Sequence, residues 1–182
     1  MKSAKRLLAA VLAALMLLSC APAALADEDL PTTWNLDEIY TDLSQWQADY
    51  DRVMELLQQY SDFRGTLNTA ENIYAFYDFA YMSELTALQN KLYMYASLGY
   101  YLNPTDPVFS GLQAQLDDMS VQEAILSAFA DPEIYELPLE TRQEIFADPL
   151  FDDIRYALKA YTDPNEEPFS EEVSTILATL SI

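Results

Sequence analysis

The feature that most constrains this sequence is a long stripe of apolar and aromatic residues at helical spacing within residues 69–102. Residues three and four positions apart share one side of an α-helix, so the pattern predicts a single helix over this range. The stripe consists of Tyr77, Tyr81, Leu85, Leu88, Leu92, Tyr95, Gly99 and Leu102. Thr69 is suited to cap the helix at its amino terminus, and Asn103-Pro104 is predicted to end it.

Shorter segments elsewhere show the same helical pattern. Further helices are predicted at 43–60, 106–131, 138–147, 149–161 and 170–180. Only three of the 182 residues are glycine, and the prolines fall at predicted helix boundaries. A sheet with many tight turns needs more turn residues than this. We therefore expect an all-α fold, an antiparallel array or bundle of about five to six helices with short connections.

Residues 1–26 are predicted to be a signal peptide outside the fold. A positively charged start precedes an uncharged run at 7–18, which is too short to span a bilayer. Ala24 and Ala26 fit cleavage before Asp27, which leaves residues 27–182 as one domain. Alternatively, Cys20 lies in a looser match to a bacterial lipobox, where it would be acylated and retained. We expect an exported bacterial protein, either secreted or held at the cell surface as a lipoprotein.

Charge narrows the range of partners. All thirty acidic residues but only six of the nine basic residues follow the predicted cleavage site. Such a negative surface repels the phosphates of nucleic acids and anionic membranes, so neither is expected as a partner. The same charge keeps a protein soluble, and it also attracts cationic peptides.

The sequence offers no catalytic centre. It contains no histidine and a single cysteine, which excludes a Ser-His-Asp triad, a Cys-His pair and a histidine- or thiolate-bound zinc site. Adjacent carboxylates occur at 117–118, 152–153, 166–167 and 171–172. Neighbouring side chains on a helix point in different directions, so these pairs are interpreted as solvated acidic faces. The acidic loop at 163–167 lacks the spacing and glycine of an EF-hand. We therefore assign no catalytic, cofactor-binding or metal-binding residue and expect no cofactor in this chain.

Tyrosine is abundant, with thirteen residues in the chain. Seven of them lie on several sides of the predicted long helix: Tyr74, Tyr77, Tyr81, Tyr93, Tyr95, Tyr100 and Tyr101. Tyrosine can bury its ring while its hydroxyl reaches water or a ligand. The pattern fits a core of amphipathic rings or, alternatively, a surface that faces a peptide or another domain.

Short motifs occur in a fixed order between residues 33 and 182. They are Trp34-Asn35-Leu36-Asp37-Glu38-Ile39-Tyr40, Phe63-Arg64-Gly65-Thr66-Leu67, Leu92-Tyr93-Met94-Tyr95-Ala96-Ser97-Leu98, Pro104-Thr105-Asp106-Pro107 and Ser170-Glu171-Glu172-Val173. They resemble the W-[DN]-L-x-x-[IL]-Y opening, the F-[RK]-G-x-L and L-Y-x-Y-A-S-L segments, the connection after them and the L-S-E-E-E helix of the oligoendopeptidase F family. Phe169 and Val173 depart from the last pattern.

The resemblance implies a helical clamshell peptidase whose N-terminal helices cover the channel to the active site, admitting oligopeptides and excluding folded proteins. In that family zinc is bound in a later catalytic domain with an HExxH helix and a downstream glutamate, and this sequence contains neither. The chain would then be the lid and part of the substrate channel of a secreted zinc oligoendopeptidase. Its expected partners are the missing catalytic domain and an oligopeptide. Without that domain the chain should be inactive.

The alternative is a stand-alone exported helical module that binds a peptide or another protein without cleaving it. Under either interpretation Leu88 and Leu92 should be buried on the long helix. If a catalytic domain is missing, the tyrosines at 74–101 should leave an exposed apolar area where that domain packs.

Overall fold

The computed structural model describes residues 34–180, and within this range the fold is entirely helical, with no β-strand. Its α-helices are α1 (Leu43–Leu57), α2 (Tyr60–Phe63), α3 (Ala70–Met82), α4 (Glu84–Leu102), α5 (Pro107–Ser127), α6 (Ala130–Tyr135), α7 (Leu139–Phe146) and α8 (Glu171–Leu180). Short 3₁₀ segments lie at Leu36–Glu38, Pro149–Phe151 and Lys159–Thr162. The all-α prediction is confirmed. The predicted signal peptide, with Cys20, lies outside the described residues.

Packing centres on α4, which contacts α1, α3 and α5. Leu92 and Leu116 are fully buried, as is Trp46 on α1. The indole N–H of Trp46 donates a hydrogen bond to the carbonyl oxygen of Leu92 at 3.3 Å, which satisfies the one polar group of that buried ring. Tyr50 stacks on the indole with ring centroids 5.4 Å apart. Aromatic and aliphatic packing therefore fixes α1 on α4.

The prediction of one helix at 69–102 is wrong, because the chain breaks into α3 and α4 at Ser83. The Ser83 backbone is extended, and its hydroxyl accepts a hydrogen bond from the amide of Leu85 as the N-cap of α4. The same hydroxyl donates to the carbonyl oxygen of Phe79, and Thr86 donates to that of Ala80. Side-chain oxygens thus pair with backbone groups that a continuous helix would have paired internally.

The break divides the predicted apolar stripe. Leu92 and Tyr95 are buried, whereas Tyr81 and Leu102 are exposed. Leu88 is half-buried and packs against the core. The expectation of burial is therefore confirmed for Leu92 and only partly met by Leu88.

Helix starts were predicted better than helix ends. Thr69 caps α3 through its side chain, and Asp106 caps α5, with Pro107 in the first turn. Pro132 follows directly after the helix predicted at 106–131, and it lies in the first turn of α6. Backbone N–H groups in the first turn have no partner within the helix, so proline breaks no hydrogen bond there. The helix predicted at 149–161 is wrong, since this segment consists of 3₁₀ segments and turns.

Two glycines provide a matched test of how closely α4 and α5 pack. A Cβ atom at Gly99 would lie 1.9 Å from the ring of Phe109, whereas one at Gly111 has no neighbour within 4 Å. We expect Gly99→Ala to destabilise the fold by about 1–3 kcal/mol through overpacking. Gly111→Ala should stabilise it by up to about 1 kcal/mol, because alanine favours a helix. Denaturant unfolding measures both effects, and equal shifts would contradict the close contact at Gly99.

Candidate interaction surface

The first turn of α8 is held against the rest of the domain. The Ser170 hydroxyl accepts a hydrogen bond from the amide of Val173 at 3.3 Å, so Ser170 caps the helix that was expected at 170–180. Glu171 accepts two hydrogen bonds from the Arg64 guanidinium, at 2.7 and 2.9 Å. The same guanidinium lies over the ring of Phe129, 4.5 Å from its centroid. Arg64 thus links α8 to the end of α2.

The ion pair between Arg64 and Glu171 depends on pH. Hydrogen bonding to Arg64 holds the pKa of Glu171 below its ordinary value. Because the folded-state pKa is lowered, the pair's contribution is present at neutral pH and is lost as pH falls through that lowered pKa. Both side chains are about half exposed, so the pair mainly orients α8 and adds little stability.

The apolar side of α8 is turned toward solvent. Its four aliphatic residues recur at helical spacing and are all exposed, Leu180 to 73%. They are Val173, Ile176, Leu177 and Leu180, which together we call the outer stripe. The half-buried residues of α8 are small or polar: Glu171, Ser174, Thr175 and Ala178. An amphipathic helix ordinarily buries its apolar side. In contrast, α8 packs on α5 with its side of small and polar residues.

Exposed aliphatic residues that occur singly need no explanation, but a continuous row does. The outer stripe covers most of the length of α8, and the exposed Phe169 precedes it. A helix that is fixed by polar contacts and presents its apolar side outward is suited to a second partner.

The tyrosines of α3 and α4 do not form the single exposed surface that was expected. Their exposure falls into three classes: Tyr95 is buried, Tyr74, Tyr77 and Tyr93 are half-buried, and Tyr81, Tyr100 and Tyr101 are exposed. The continuous apolar row lies on α8 instead. The 3,4-spacing at 173–180 was visible in the sequence, but the side that the helix buries was not.

Several tyrosine hydroxyls form hydrogen bonds inside the fold, either to carboxylates or to one another. The Tyr77 hydroxyl donates to the Tyr161 hydroxyl at 2.9 Å, and Tyr161 donates to Asp131. Tyr60 donates to Glu123 at 2.9 Å. These bonds join helices that are distant in the sequence, so these tyrosines belong to a core of amphipathic rings.

The Phe63-Arg64-Gly65-Thr66-Leu67 motif has a structural role. A carboxylate of α6, Glu133, accepts the amide N–H of Gly65 at 2.7 Å and that of Leu67 at 2.6 Å. Gly65 has a φ of 80°, in the left-handed region that glycine adopts without strain. Leu67 is fully buried. Together with Arg64, these residues tie the loop after α2 to α6 and to α8.

Residues 34–180 present neither a candidate metal site nor a candidate membrane-spanning helix. In this range no group of three or more acidic, histidine or cysteine side chains is placed to hold a metal ion. The adjacent carboxylates Asp117 and Asp118 are both exposed on α5. None of the helices in the same range is long and apolar enough to span a bilayer. Cys20, the possible lipid attachment site, is not among these residues.

Comparisons with known proteins give a weak relationship. No family model and no solved structure matches the chain. It is 22% identical over 153 residues to oligopeptidase PepF of Bacillus subtilis (strain 168). This chain is a distant relative of an oligopeptidase. The match covers 82% of the chain but only 22% of the length of PepF, so most of that protein has no counterpart in this sequence.

Alkaline pH tests the buried and half-buried tyrosines. Burial is the main cause that raises the pKa of Tyr40, Tyr60, Tyr77 and Tyr161 above the ordinary value. Their neutral hydroxyls therefore stabilise the fold below about pH 10, and this contribution is lost as pH rises further. We expect phenolate absorbance to appear together with loss of helical circular dichroism.

The matched variant is Tyr161→Phe, which removes one of the four groups. Its stability should fall less steeply with pH above about 10 than that of the parent chain. An unchanged slope would mean that Tyr161 ionises as readily in the folded state as in the unfolded state.

Proposed function

We propose that this chain is the N-terminal helical domain of an exported, zinc-dependent oligoendopeptidase, and that it forms the lid and part of the channel for oligopeptides. The outer stripe of α8 carries the proposal, because a fixed helix with its apolar side outward needs a second surface to cover it. The distant relationship to PepF supports a peptidase catalytic domain as that surface, since the match leaves most of PepF uncovered.

The catalytic zinc would be bound by that other domain. The described residues hold no suitable ligand set, so no step of the hydrolysis is assigned to them. Their proposed contributions are to cover the catalytic domain, to restrict entry to unfolded peptides and, through the acidic surface, to attract cationic ones. The isolated chain should therefore hydrolyse no oligopeptide.

A stand-alone exported module that binds a peptide or a partner protein is the second candidate. The observation that favours it is a complete core: Trp46, Leu92 and Leu116 are fully buried without help from any further domain. Under this hypothesis the outer stripe would be covered by a separate protein.

The genomic DNA that follows the codon for Ile182 separates the two candidates. A reading frame that continues through an HExxH motif supports the peptidase and provides its natural catalytic domain. A stop codon, with no peptidase gene after it, supports the stand-alone module.

With that catalytic domain present, Ile176→Lys should lower the zinc-dependent cleavage of a quenched oligopeptide by at least about tenfold, because it places a charge in an apolar interface. Thr179→Lys is the matched control, since it adds the same charge to an exposed position of α8 outside the outer stripe. Equal activity of the two variants would count against the proposed contact.

A further inference from the structure

A groove of about 710 Å³ lies between α7 and the turns that follow it. The buried side chains of Phe146 and Leu158 line it, and so does Tyr156, which is 92% exposed. Arg155 and Lys159 supply positive charge to the same groove. Apolar surface, an exposed aromatic ring and convergent charged groups are the usual features of a site for a small ligand.

The charge of the groove differs from that of the whole chain, which has a net charge of −21. Residues 34–180 contain six basic side chains: Arg52, Arg64, Lys91, Arg142, Arg155 and Lys159. The first three form ion pairs with carboxylates of other helices. The last three lie within residues 142–159, so half of the basic side chains of the described domain lie near this groove, where Asp152 pairs with Arg155.

Arg155 is held through a single nitrogen. Its Nη2 donates to Asp152 at 2.6 Å and to the carbonyl oxygens of Ala147 and Asp148 at 3.3 and 3.0 Å. Within residues 34–180, its Nε and Nη1 make no hydrogen bond to the protein. The guanidinium is therefore oriented by the fold while two of its nitrogens remain able to donate to a ligand.

Lys159 forms no ion pair with any carboxylate of the described residues. It has a weak electrostatic influence on Asp163, whose pKa is lowered first by hydrogen bonds from Asn165 and only last by Lys159. Its ammonium group thus retains most of its capacity to bind an anion.

Arg142 adds to the positive potential from inside the fold. It is only 7% exposed, and its guanidinium lies over the ring of Tyr135, 4.4 Å from the centroid. Its Nε and Nη1 are buried with no hydrogen-bond partner among the described residues. A buried charge is screened less than an exposed one.

The adjacent Gln143 lines the groove and donates to the carbonyl oxygen of Thr162 at 3.4 Å, which joins the two walls.

We propose that this groove binds the free C-terminal carboxylate of an oligopeptide. Lys159 and the unused N–H groups of Arg155 contact the carboxylate, and Phe146, Leu158 and Tyr156 contact the last side chain of the peptide. The choice of an oligopeptide rests on the proposed function. An anion attached to an apolar body matches both the cations and the apolar lining, whereas an inorganic anion matches the cations alone. The acidic remainder of the surface favours a cationic amino-terminal part, which sets the direction of the peptide.

The test compares two probes on the full 182-residue chain by calorimetric titration and by amide chemical shifts. One is acetyl-Ala-Ala-Phe with a free carboxylate, and the other is the same peptide with a C-terminal amide. We expect the acid to bind at least about tenfold more tightly than the amide, because Arg155 and Lys159 form charge-assisted hydrogen bonds to a carboxylate but not to an amide. The shift changes should be confined to the groove, at Gln143, Tyr156 and Lys159.

Variants separate the groove from general electrostatic attraction. Lys159→Gln and Arg155→Gln should each weaken binding of the acid by about threefold or more, since each removes one charge-assisted contact. Arg52→Gln is the control, because its side chain is 45% exposed, close to the 46% of Arg155, and it lies outside the groove. Circular dichroism establishes that each variant is folded.

Several results would overturn the assignment. One is equal affinity for the acid and the amide, and another is no binding at millimolar peptide. The third is a loss of affinity in Arg52→Gln as large as that in Lys159→Gln and Arg155→Gln. Inorganic phosphate that displaces the acid at equal concentration would identify a general anion site and contradict the peptide. If the peptide does not bind while Ile176→Lys and Thr179→Lys still differ in peptidase activity, only the groove assignment is wrong. If binding is confirmed but the gene encodes no peptidase catalytic domain, the proposed function fails and the groove assignment remains.

Discussion

The packing of α4 against α1 and α5 is the interaction on which the rest of the structure depends. Trp46 is buried against α4, and Gly99 lets the ring of Phe109 approach the α4 backbone. The buried core residues of the described chain all lie outside α8, so this helix is not needed to close the core. It attaches through small and polar residues and through the ion pair between Arg64 and Glu171. That mode of attachment leaves the outer stripe available for a second surface.

Local chemistry explains which parts of the fold could be predicted from the sequence. Thr69, Asp106 and Ser170 cap helices through hydrogen bonds within a few residues, so their roles are readable without a tertiary structure. Ser83 has the same chemistry, but the apolar spacing continues across it and concealed the break between α3 and α4. The side of α8 that is buried depends on what it packs against, and spacing alone does not contain that information.

The candidate sites also combine features that are local in the sequence with features that depend on tertiary packing. The sequence identified tyrosines as either core or surface, and only the pairing of Tyr161 with Tyr77 and Asp131 assigns these to the core. Arg155 and Lys159 are four residues apart in a segment that was predicted as a helix and consists of 3₁₀ segments and turns. Their availability depends on which nitrogen of Arg155 is used and on the lack of an ion pair between Lys159 and any carboxylate of residues 34–180, which are tertiary properties. The motif resemblance has support only as a distant relationship to PepF.

The central claim is that a peptidase catalytic domain covers the outer stripe of α8. Its most direct test is the rate of thiol labelling at Ile176→Cys and at Thr179→Cys, both in a Cys20→Ser background. In the isolated chain the two thiols should react at similar rates, because both positions are exposed. When the catalytic domain is present, the thiol at position 176 should become protected while the one at position 179 stays reactive. Equal reactivity of both thiols with and without that domain would contradict the account.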